Sequence, residues 1–79
     1  MRYYFDMVDT EGIAIDEEGL ELPSIESVRE EAARSLIDMA REEFRPNEGA
    51  ARELAIRVRD EVGVVLQLKF TFVVGRTRH

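Results

Sequence analysis

The chain contains no cysteine. Disulfide staples, zinc ribbons and redox dithiols are therefore excluded. Histidine occurs once, as the terminal His79, and Ser24, Ser27 and Ser35 all fall on one helical stretch, so no Ser-His-Asp arrangement is available. The five glycines are scattered singly at turns rather than gathered into a phosphate-binding loop. No segment approaches the ~18 apolar residues of a membrane span. Met1-Arg2-Tyr3-Tyr4-Phe5-Asp6 reaches an acid before any apolar run of signal-peptide length. The expectation is a cytoplasmic protein that is not an enzyme and carries no cofactor.

What is present is a chain of 79 residues, 44% hydrophobic and 35% charged, a balance too apolar for disorder. A domain of this size buries only about 60% of its unfolded surface, so self-association is the expected reinforcement. The formal net charge of -6 opposes nonspecific binding to nucleic acid or an anionic membrane. The charge is uneven. Residues 1–31 hold ten acids and two bases, whereas residues 32–79 hold seven acids and nine bases. An acidic front and a mildly basic rear suit a basic protein partner or head-to-tail self-contact. Its densest part, Asp6, Asp9, Glu11, Asp16, Glu17, Glu18 and Glu21, straddles a strand and lacks the register of a calcium loop, so a solvated acidic rim is expected rather than a metal site.

The periodicities predict an α+β domain of ββαββ order, a four-stranded antiparallel sheet with one amphipathic helix on one face. Strands are expected at about 2–8, 12–16, 53–60 and 64–74, the helix at about 24–44, and a frayed tail at 75–79. Pro23 biases Leu22 away from helix, and Ser24 stands where an N-cap belongs. Ile25, Val28, Ala32, Leu36, Met39 and Ala40 form the helix's apolar stripe, with Ala33, Ile37 and Phe44 widening one edge. Arg29 falls inside it, its stem expected along the sheet edge. Pro46-Asn47-Glu48-Gly49 ends the helix.

Leu54, Ile56 and Val58 alternate with polar neighbours, and Val64, Leu66, Leu68, Phe70, Phe72 and Val74 share one face of the longest strand. The helix-covered face should hold these together with Phe5 (or Tyr4), Ile13 and Ile15. The long last strand is expected to be central, beside the first. The opposite face, with Tyr4, Arg57, Arg59, Val65, Gln67, Lys69, Thr71 and Val73, is mixed in polarity. An antiparallel sheet can leave such a face wet; otherwise it is the candidate interaction face, and a homodimer through it or through an exposed edge strand is expected.

Arg2-Tyr3-Tyr4-Phe5-Asp6, Asp16-Glu17-Glu18-Gly19-Leu20-Glu21-Leu22-Pro23, Ser27 through Ala33, Ile56-Arg57-Val58-Arg59-Asp60-Glu61 and Leu66 to Phe72 resemble a family of short bacterial proteins known only as a domain of unknown function. That family usually has Tyr-Phe-Phe where this chain has Tyr3-Tyr4-Phe5. The resemblance implies a compact stand-alone domain and leaves its activity blank. From Gly12 to about Leu36 the chain also resembles the N-terminal domain of HicB-type antitoxins, without their appended DNA-binding region. That likeness implies neutralisation of a small basic toxin.

Overall fold

A computed structural model describes residues 1–43 and 50–74. Phe44, the Pro46–Gly49 loop and the 75–79 tail lie outside the described residues. The elements run β1 (Arg2–Asp9), β2 (Gly12–Ala14), β3 (Leu20–Glu21), α1 (Ile25–Glu43), β4 (Ala50–Arg59) and β5 (Val64–Val74). They form one antiparallel sheet and one helix, the expected α+β class, with five strands in place of four.

The sheet order is β2-β1-β4-β5, and β3 pairs with β1 on the far end from β2. The central strands are β1 and β4, so β5 lies at the edge and does not pair with β1. This corrects the expectation of a central last strand. Its apolar content misled because β5 has one face under α1 and one outside, whereas β4 supplies the buried Leu54, Ile56 and Val58. Pairing β1 with β4 also brings Asp6, an acid in the middle of an aromatic strand, within reach of Arg59.

The core is a single cluster in which Tyr3 and Phe5 of β1 and the three β4 residues meet Val28, Ala32 and Leu36 of α1. Leu22, Met39, Ala40, Leu66 and Leu68 pack around it. Tyr3, not Tyr4, joins Phe5, because alternate residues of a strand share a face. Burying each of the large aliphatic side chains here contributes about 1.5–3 kcal/mol. The helix starts where Pro23 and Ser24 require. Ser24 Oγ accepts the Ser27 N–H at 3.1 Å, and the Ser24 carbonyl accepts the Val28 N–H.

Other expected core residues are exposed. The two-residue turn fixes Asp9 opposite Gly12, which sets Met7 against Ala14 on the helix side and turns Ile13 with Val8 to the other side. Ile15 follows the end of β2 and is 58% exposed, whereas α1 packs over β4 and β5. Ile25 and Ile37 are exposed at the margins of the helix stripe, as are Val64 and, marginally, Phe70 on β5. Arg29 is exposed as well.

Candidate functional site

Three Asp-x-x-Gly tetrads punctuate the chain, and all three fold the same way. Asp9 Oδ1 accepts the N–H groups of Glu11 and Gly12 at 2.7 and 3.0 Å. Asp16 Oδ1 accepts those of Glu18 and Gly19 at 3.1 and 3.2 Å. Asp60 Oδ1 accepts those of Val62 and Gly63 at 2.8 and 3.0 Å. A short carboxylate reaches its own backbone two and three residues on and closes the turn. Of the acidic front, Asp9 and Asp16 are thus turn residues, whereas Glu11, Glu17, Glu18 and Glu21 are exposed.

The middle tetrad does more. Between β2 and β3 the chain leaves β1, and the Phe5 N–H would lose its strand partner there. Asp16 Oδ2 takes that hydrogen bond at 3.0 Å. The Asp16 N–H is in turn accepted by Asp6 Oδ1 at 2.9 Å. Arg59 closes the ring: its Nε donates to Asp6 Oδ2 at 2.8 Å, and its Nη2 donates to the Asp16 carbonyl at 2.9 Å and, more weakly, to Asp6 Oδ1 at 3.4 Å. The guanidinium also lies 4.6 Å from the centre of the Tyr4 ring, its cross-strand neighbour. Gly19 fits under Tyr4 only because it has no Cβ. With φ at +74°, a Cβ there would meet Tyr4 Cε2 at 2.8 Å and the Tyr3 carbonyl at 3.0 Å.

Asp6 is 5% exposed, the one buried charged residue among those described. Burial pushes its carboxyl up, but the Arg59 guanidinium and the Asp16 N–H together outweigh that and hold it below the usual carboxylate range. Asp16 behaves alike: burial raises it, and the N–H groups of Phe5, Gly19 and Glu18 bring it lower still. The hydrogen bond to Asp6 raises Arg59 further above its ordinary value. Asp6, Asp16 and Arg59 are thus ionised groups with their partners in place. A carboxylate so engaged is poorly suited to proton transfer. The cluster is a clamp that joins β1, β4 and the connection between β2 and β3.

The sheet register sets Tyr4, Arg57, Arg59, Val65, Gln67, Lys69, Thr71 and Val73 on the face away from α1. They are not equivalent. Arg59 and Tyr4 belong to the clamp. Arg57, Gln67 and Lys69 line a hollow of about 310 Å³ with Val8, Thr10 and Glu53, and Lys69 Nζ lies 3.9 Å from Glu53. Val65 and Val73 are exposed on β5. Among the described residues no three carboxylate or histidine side chains converge as metal ligands would. No helix among them is long and apolar enough to cross a membrane.

The clamp escaped the reading of the sequence, although a signal was present: Asp6 interrupts an aromatic strand where a carboxylate needs a cation and N–H donors. No curated protein and no solved structure matches the chain. The likeness to the antitoxin N-terminal domain has no counterpart among the matches. The model of one family matches residues 2–71, which takes in every element from β1 through the clamp and most of β5. The chain belongs to that family, the Domain of unknown function (DUF6894).

Proposed function

We propose that this domain is a noncatalytic interaction module of the cytoplasm that self-associates through the outer edge of β5. The observation that carries this is an eleven-residue strand, Val64–Val74, that pairs only with β4 among the described residues. It contains no proline or glycine and one charge, Lys69. Val64, Val65, Phe70 and Val73 are exposed along it. Natural edge strands are usually short, bulged, charged or covered, and a long apolar one is a template for another strand. An antiparallel pair with its twofold axis at Leu68 sets Gln67 of each copy against Lys69 of the other and keeps the two lysines apart. The noncatalytic half of the reading rests on the clamp, whose buried carboxylate is already engaged by Arg59 and the Asp16 N–H.

Sedimentation equilibrium tests the reading. From about 1 μM to about 1 mM, the span of association free energies from about -8 to -4 kcal/mol, the weight-average mass should rise from monomer to dimer. Val65→Lys/Val73→Lys should stay monomeric throughout. A wild-type protein that remains monomeric at the upper concentration contradicts it.

A further inference from the structure

A second surface lies on the opposite flank and does not depend on self-association at β5. Because α1 covers β4 and β5, it leaves a groove between its own outer side and the β2–β3 edge. Two hollows of about 370 Å³ adjoin there across Met7 and Ala14. The floor and far ledge are apolar, with Met7 38%, Leu20 41% and Ile15 58% exposed. Apolar side chains clustered in a concavity mark an interaction site more often than scattered ones do.

The rim is of one sign. Glu31, Asp38 and Glu42 stand along the helix wall, Glu11 stands at the β1–β2 turn, and no lysine, arginine or histidine lines any part of the groove among the described residues. Arg34 and Arg41 pair with Glu31 and Asp38 at 2.9 and 3.6 Å, but from the exposed side of the helix, where such pairs contribute little. An apolar floor under a carboxylate rim selects a cationic amphipathic segment and repels acidic chains and anionic lipid.

We propose that this groove takes a cationic amphipathic segment of a partner protein, its apolar side chains on Met7, Ile15 and Leu20 and its lysine or arginine heads along Asp38 and Glu42. A second copy of this chain, itself net negative, is a poor occupant. The helix wall from Glu31 to Glu43 spans ~18 Å, which matches an occupant of about twelve helical residues.

The test uses a fluorescein-labelled helical peptide of that length built from leucine and lysine, beside its counterpart with glutamate for lysine. Anisotropy is read on the Val65→Lys/Val73→Lys protein, so that loss of self-association cannot imitate loss of docking. The lysine peptide should bind saturably and more weakly in salt, and the glutamate peptide should not bind. Asp38→Lys/Glu42→Lys should weaken binding at least about tenfold, while Glu17→Lys/Glu61→Lys, the same charge change elsewhere, should alter it less than about twofold. Absence of saturable binding, equal binding of the two peptides, or equal effects of the two double variants would overturn the proposal.

Discussion

The two flanks of the sheet solve the edge problem in opposite ways. On the β1 flank the chain doubles back as β2 and β3, and where those strands part, Asp16 substitutes a carboxylate for the missing backbone acceptor of Phe5. The exposed apolar residues there sit beside carboxylates. On the β5 flank an apolar strand of eleven residues runs to the sheet margin with a single lysine and no covering element among the described residues. One flank is closed by polar chemistry inside the chain; the other presents backbone and side chains that a second chain can complete. A small domain with little core has reason to keep such an edge, because association adds burial that its own length cannot supply.

The largest effect of a substitution is expected at the clamp. Asp6→Ala leaves the Arg59 guanidinium without its carboxylate and the Asp16 N–H without its acceptor, and should cost about 3 kcal/mol in urea unfolding. Gly19→Ala places a methyl group against Tyr4 and the Tyr3 carbonyl at a positive φ, an expected loss of about 2 kcal/mol by the same measurement. Ser24→Ala removes the helix cap, which serves both flanks, and should cost about 1 kcal/mol. Val65→Lys/Val73→Lys should change monomer stability by no more than about 0.5 kcal/mol while abolishing the concentration dependence. A double variant that unfolded the monomer would show that β5 is core rather than edge.

Acid sharpens the same contrast. Asp6 and Asp16 both have folded values below their ordinary 3.8. Their contribution is therefore fully present above about pH 4 and is lost as pH falls through the lowered folded values. Thermal melts should be level from pH 7 to about pH 5 on their account and fall steeply below about pH 4, with Asp6→Asn less steep than wild type.

The sequence made legible whatever rests on period or on local turn chemistry. Val28, Ala32 and Leu36 mark one helical face, Leu54, Ile56 and Val58 one strand face, and Pro23-Ser24 the helix start, since each is decided within a few residues. The two hairpins follow for the same reason. Strand order is decided by contacts distant in sequence, so the apolarity of β5 points to the centre although the strand lies at the edge. Ile13 faces away from the helix because the two-residue turn, not hydrophobicity, determines the register, and Ile15 lies beyond the end of β2. The clamp combines both difficulties, joining Asp6 to Arg59 across 53 positions. The candidate interaction face was legible as a set of alternating residues. Its division into clamped Arg59 and Tyr4 and exposed Val65 and Val73 was not, because it depends on which strand lies next to β1.

If the β5 edge, and not the β2 edge or the open face, joins two copies, association must protect the outward amides of β5. Backbone amide exchange followed by NMR at about 20 μM and about 1 mM measures this residue by residue, with exchange slowing as an amide gains a partner. Amides of β5 pointing away from β4 should become protected at the higher concentration, at alternate positions, while those of Gly12–Ala14 should not change. Unchanged exchange along β5 in a protein that nevertheless dimerises, or new protection confined to β2, would contradict association through the β5 edge.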